Sequence, residues 1–368
     1  MSGMKYLDDL SIRAMNEALG GMTYLGQLST QEVDETLSAL AIYWVGSKDI
    51  AHYSARTIEE AVSLLDENVG KAAIVAGGVD LLRLMKNQVV APKVLVNIKT
   101  IPGLAGISED AEGLKMGGLT TIKDIEQSAL IRNKYGILAQ AAHLVASPHV
   151  RNMATVSGNL CQEVNCWYYR RSPLTGISFS CYRKGGTDCH AVTGDNRYHA
   201  IISHCRCHAA FTSDMAPALM AMDAQLKIAG PTGERVVPIE DFYVPPGTIL
   251  KPNEMITEIQ LPTPRPGARQ QYLKFSVRKT IDPALSSVAL VITTDAGKVA
   301  DARIVLGGVA PAPYRSTEAE GVIRGRAITE GLAEAAAEAA VSRAVPLTMN
   351  AYKIPLTKAL VKRAIAGL

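Results

Sequence analysis

All six cysteines of the 368-residue chain, Cys161, Cys166, Cys181, Cys189, Cys205 and Cys207, fall within residues 161–207. Four of the seven histidines, His190, His199, His204 and His208, lie there or one residue beyond. Thiolates bind zinc and iron–sulfur clusters, and paired thiols can form disulfides. Two other stretches carry glycine beside polar donors: AGGVD at 76–80 and SPHVRNMATVSGNL at 147–160. Glycine lets the backbone approach an anion closely, and amides at a helix start attract phosphate. Gly-Gly also suits a plain strand–helix turn, and the second stretch also reads as a surface loop satisfying its own backbone. Together, the two suggest a pyrophosphate held between two subdomains. No GxGxxG follows a strand, which argues against a dinucleotide Rossmann fold.

These segments need elements to position them. Residues 1–50 read as helical, with Ser29 or Thr30 capping an apolar-periodic run. Thr57 to Glu60 forms a capping box ahead of a helical stripe through Ile58, Ala61, Val62, Leu64 and Leu65. AAIVAGG is a short strand ending in glycines, DLLRLMKN a helix and KVLVNI a buried strand, which together make an α/β unit. LKMGG reads as a strand, ILAQAAHLVA as a helix, and RNMATVSGNL as a loop after Pro148. DMAPALMAMDA returns to helix. From Ala224 the period turns β-like through RVVPI, EMITEIQL, QQYLKFSV and SSVALVITT, before a late helix, EGLAEAAAEAAVSRA. The expected organisation is a helical extension over 1–50, a cofactor domain over 51–223 and an α+β domain over 224–368.

The bulk properties exclude other classes. A net charge of +3 leaves no footprint for nucleic acid. No run of about 18 apolar residues exists, so no membrane span is expected. The N-terminal residues lack the pattern of a secretory signal, and the chain reads as cytoplasmic. In that compartment clustered cysteines point to metal or redox chemistry more than to disulfides.

AGGVDLL, KVLVNIKTIPGLAGI, HVRNMATVSGNLCQ, TSDMAPALMAMDA and LGGVAPAPYR, in that order, resemble the FAD-binding medium subunit of molybdenum hydroxylases, the xanthine dehydrogenase family. The resemblance spans about residues 50–368. It implies an α+β protein: a two-subdomain FAD-binding fold of the vanillyl-alcohol-oxidase-like (PCMH) type, plus a C-terminal α+β domain like that of the CO dehydrogenase flavoprotein. It places Ala76, Gly77, Gly78, Val79, Asp80 and Leu81 around the pyrophosphate of FAD. Ser147, Asn152, Thr155, Gly158 and Asn159 would contact the diphosphate, ribityl chain or flavin. Asp214 would bond near the sugar or ribityl, and Ile256 and Lys274 would meet the flavin ring. Read from the residues alone, Asp214 is a helix cap and Lys274 a solvated strand residue. Val79 stands where the family usually has Thr, so the backbone amides would act without that hydroxyl.

The cysteine segment interrupts the usual run from SGNLC to the SD-x-x-PAL helix, which resembles the 4-hydroxybenzoyl-CoA reductase subgroup with an added [4Fe-4S] cluster. Four thiolates suit such a cluster. A loop with few large apolar residues would gain its shape from a cross-link. The expected ligands are Cys166, Cys181, Cys189 and Cys207, with Cys161 and Cys205 as spares and the histidines solvated or behind the ligands. Structural zinc and disulfides remain open as alternatives. The resemblance implies an electron-transfer oxidoreductase subunit without catalytic residues of its own, joined to a large molybdopterin subunit and a small [2Fe-2S] subunit. Arg170, Arg171, Arg183, Lys184, Arg197 and Arg206 make ferredoxin a candidate external carrier or simply mark an exposed loop. A zinc-bearing flavin subunit using NAD or quinone, and an assembly protein with a degenerate flavin site, are the competing functions.

Overall fold

The computed structural model describes residues 50–171, 179–203 and 205–367. The helical arm expected over 1–50 (Ile50 apart) and His204 lie outside the described residues. The capping box forms: Glu60 N–H donates to Thr57 Oγ1 at 3.1 Å. The Glu60 carboxylate reaches one residue further back than a standard box, accepting from Arg56 N–H at 2.7 Å. Helix Ile58–Glu67 then buries Ala61, Val62 and Leu65.

That helix covers a parallel sheet of β1 (Ala51–Ser54), β3 (Val94–Asn97) and β2 (Ala72–Val75), with β3 in the centre. Parallel neighbours need crossovers, which is why apolar helices and strands alternate here in the sequence. A second sheet runs β4 (Ile107–Glu109), β5 (Gly113–Gly117), β10 (Met255–Pro262), β6 (Gln225–Gly230) and β7 (Gly233–Pro238). β5 pairs antiparallel with β10, Leu114 facing Leu261 and Met116 facing Ile259. Strands after Ala224 thus divide between this sheet and a third. The third holds β11 (Arg269–Phe275), β12 (Ser286–Asp295), β13 (Lys298–Gly307) and β14 (Tyr314–Arg315), with helices Glu330–Ala340 and Lys353–Ala366. β8 (Tyr243–Val244) and β9 (Gly247–Thr248) form a separate hairpin. The largest core lies between the second sheet, β11 to β13 and helices Gly136–His143 and Met215–Ala221, around Tyr135, Leu138, Leu219 and Phe242. Among the described residues no helix is long and apolar enough to cross a membrane.

The segment 147–160 is not a loop. It forms two short helices, Pro148–Met153 and Val156–Leu160, capped by Ser147 and Thr155. Pro148 does not break the chain into coil; it opens a helix at the position where its missing N–H costs nothing.

Lys353 is fully buried at the start of the last helix and donates to Tyr198 O at 3.0 Å and Gly308 O at 2.9 Å. Burial pushes its ammonium down from 10.5 to about 7. The unfolded chain therefore binds one more proton between those values, and stability rises with pH across that window. Urea midpoints of the protein should climb from pH 7 to pH 9.5, at a rate of up to about 1.4 kcal/mol per pH unit. Lys353→Met should remove that slope; an unchanged slope would assign it to other groups.

Candidate cofactor site

The two glycine segments meet. A Cβ on Gly77 would fall 1.9 Å from Met153 O and 3.3 Å from Ala154 Cα, so only glycine lets the β2 turn lie against the junction of the two short helices. Gly78 follows at φ +71°, a left-handed conformation that suits glycine. The second turn is stapled from behind: Val156 N–H donates to Thr120 O at 2.9 Å, and Ser157 Oγ donates to Gly118 O at 2.7 Å. Between the segments lies a cavity of about 660 Å³, within the size range of cofactor sites. Residues 76–81 line one wall, and Thr155, Gly158 and Asn159 line another.

Asp214 and Lys274 close the cavity from the far side. Asp214 stands at the N-cap position of helix Met215–Ala221 but makes no side-chain cap bond. Ser213 does that work, its Oγ accepting from Ala216 N–H at 3.0 Å. The Asp214 carboxylate instead accepts from Tyr272 Oη at 2.8 Å and from Lys274 Nζ at 2.7 Å. Lys274 also donates to Leu144 O at 2.8 Å. The two side chains are 5% and 3% exposed, so the reading of Lys274 as a solvated strand residue fails. Burial pushes the Asp214 carboxyl up, while Lys274 and then Tyr272 pull against it. Burial and the neighbouring carboxylate push the Tyr272 phenol far above its ordinary range.

Three expected contacts are not on the cavity wall. Ser147 spends its oxygen on Val150 N–H at 3.4 Å, and Asn152 is exposed. Ile256 is buried in β10, and its carbonyl lies 2.6 Å from where a Gly118 Cβ would be, so it backs the second turn. Arg151, in the same donor-rich stretch, gives its guanidinium to Glu126, Val145 O and Ala146 O. The wall also includes residues that sequence reasoning passed over: Cys161, Gln162 and Glu163, and Ile281 to Pro283 after β11. Adjacency to SGNL was a signal for the first group; nothing in the sequence marked the second.

In the cysteine segment, Cys166, Cys181 and Cys207 are buried and none of the six cysteines is in a disulfide. Cys189 and Cys207 lie close enough to Cys166, and Cys189 to Cys207, that negative charge on the neighbours raises the Cys166 and Cys207 thiols. Cys181 packs in the same core as Cys166 and Cys207. Burial pushes the Cys166 thiol up to about 12 and the Cys207 thiol up as well. Among the described residues no group of three or more His, Cys, Asp or Glu stands at metal-holding spacing. His199 is buried rather than solvated, its Nε2 3.3 Å from Cys166 Sγ.

The segment also has packing of its own. Trp167, Tyr168, Phe179, His190 and His199 form an aromatic cluster, with Tyr168 edge-on to Phe179 at 5.0 Å. Asn196 bonds Thr348 Oγ1 and Met349 N–H, and Asn350 donates to His199 O and Ala200 O. The basic residues are not simply an exposed face either. Arg170 and Arg183 turn inward, Arg197 pairs with Asp195, and Arg206 lies over the Tyr182 ring.

Residues 48–264 match the FAD binding domain in molybdopterin dehydrogenase, and residues 271–368 match the CO dehydrogenase flavoprotein C-terminal domain. The chain belongs to the FAD-binding medium subunits of the molybdenum hydroxylase and CO dehydrogenase family, and is an oxidoreductase subunit of mixed α and β fold. It is 33% identical to the aldehyde oxidoreductase FAD-binding subunit PaoB of Escherichia coli K12, over 83% of this chain and 93% of that protein. It is 29% identical to the carbon monoxide dehydrogenase medium chain of Hydrogenophaga pseudoflava, over 85% of this chain and 95% of that one. A solved carbon monoxide dehydrogenase from the same organism, lacking the Mo-pyranopterin moiety of its cofactor, superposes with a TM-score of 0.69 at 27% identity, covering 85% of this chain and 95% of that one.

Proposed function

We propose that this chain is the electron-transfer flavoprotein subunit of a molybdenum-dependent hydroxylase or reductase complex. In this reading it works with a large molybdopterin subunit and a small [2Fe-2S] subunit in the cytoplasm, and links the small subunit to an external carrier such as ferredoxin. The observation that carries the reading is the cavity between Gly77–Gly78 and Thr155–Asn159, which has the size of a cofactor site and glycine on both walls. FAD, when bound, supplies a group that exchanges one or two electrons. The backbone of residues 76–81 and of Gly158 would hold its diphosphate, and the buried Asp214–Lys274 pair would orient its more distal part. Ser147, Asn152 and Ile256 would act by shaping the turns rather than by touch.

The same proposal gives Cys166, Cys181, Cys189 and Cys207 to a [4Fe-4S] cluster. Four thiols in one segment and outside disulfides suit that group in kind and number, although they do not stand at metal-holding spacing without it, and its ligation would displace the protons that burial now holds on Cys166 and Cys207. Cys205 lies near Cys207 and is the alternative fourth ligand. A bound cluster supplies a one-electron carrier. A visible spectrum of the purified protein should show flavin bands with broad absorbance near 400 nm. Cys166→Ser or Cys189→Ser should lower iron by about four atoms per chain, while Cys161→Ser leaves it unchanged. One zinc per chain, or flavin bands alone, would reject the cluster; a colourless protein would reject the flavin.

A further inference from the structure

Of the carboxylates that line the cavity, Asp80 and Glu163 belong to or closely follow the two segments proposed to hold an anionic pyrophosphate. Left bare, each would repel the cofactor. Asp80 stands at the start of helix Leu81–Lys86 but makes no cap bond. Its Oδ2 accepts from Glu163 N–H at 2.9 Å, and its Oδ1 accepts from Arg170 Nη1 at 2.7 Å. Arg170 is itself buried, with Nε donating to Val164 O at 2.8 Å and Nη2 donating to Glu163 O at 2.6 Å. Its guanidinium is therefore fixed in place as a rigid fork. The second carboxylate is treated alike. Glu163 accepts from Arg183, which also donates to Pro246 O and stacks over the Tyr169 ring at 5.1 Å. Arg170 and Arg183 both belong to the cysteine segment, four residues after Cys166 and two after Cys181.

We infer that the cysteine segment completes the flavin site electrostatically: Arg170 and Arg183 are positioning residues that neutralise Asp80 and Glu163 beside the glycine turn, where the pyrophosphate would lie. Asp80 is then a neutralised neighbour of the phosphates and not their ligand. The inference deepens the flavin reading and rests on it. It also means that order in residues 161–207 supports FAD affinity, although the principal flavin segments lie on either side.

The test is a double-mutant cycle on the full chain stripped of flavin, with binding of FAD and of riboflavin followed by flavin fluorescence. Wild type should bind FAD; no binding would reject the flavin reading itself and this inference with it. Arg170→Met should weaken FAD roughly tenfold or more, because an unpaired carboxylate then faces the pyrophosphate. Riboflavin, which has no phosphate, should be little affected. The double variant Asp80→Asn with Arg170→Met should regain most of the FAD affinity. A double variant as weak as Arg170→Met, or equal losses for FAD and riboflavin, would overturn the inference in favour of a purely structural role. If Arg170→Met does not fold, Asp80→Asn alone decides: it leaves an uncompensated cation beside the site, so FAD affinity should hold or rise, and a tenfold fall would overturn the inference.

Discussion

Lys274→Met lowers the stability of the flavin-free protein by about 3–5 kcal/mol, the usual cost of leaving one member of a buried ion pair uncompensated. The Asp214 side chain is 5% exposed, and with Lys274 removed it keeps only the Tyr272 hydroxyl as a partner. The carboxyl then takes up a proton more readily, so the deficit should be smaller at pH 5 than at pH 8. Combining Lys274→Met with Asp214→Asn removes both charges and should recover a substantial part of the loss. Urea denaturation of the four proteins at both pH values measures this. A cost below about 1 kcal/mol for the single variant would mean that the pair is reached by water in solution and is not buried as the fold places it.

Gly77→Ala empties the flavin site. The added methyl would lie 1.9 Å from Met153 O, a backbone atom with no rotamer to escape through. One of the two turns must move by more than an ångström, and the cavity exists only while both stay in place. FAD per chain should fall by about tenfold or more, given how steeply bound geometry depends on such displacements. Gly158→Ala should do less, since its Cβ would meet the Thr155 hydroxyl at 2.9 Å, and that side chain can rotate at the price of a helix cap. Flavin absorbance per chain and the thermal midpoint, read together, separate the two. Full flavin retention in Gly77→Ala would show that the two turns do not need this close approach.

What could be read along the chain was whatever is local. The Thr57 cap, the strand ending in Gly-Gly and the helix after Asp214 are set by neighbours within four residues, and they form where the sequence places them. The two helices in 147–160 escaped because each is only five or six residues long, too short to show a period; Ser147 and Thr155 marked their starts all the same. The alternation in QQYLKF already put Tyr272 and Lys274 on one face of a strand. That this face turns inward was decided by the tertiary fold, which sets it against Asp214, about 60 residues earlier. The pairing of β5 with β10 across some 140 residues, and the arrival of Ile281 to Pro283 at the cavity, are of the same kind. The sign of a site is likewise non-local. The sequence showed an excess of arginine beside the cysteines, but a guanidinium's role depends on which carboxylate it meets, and only folding brought Arg170 to Asp80, 90 residues away.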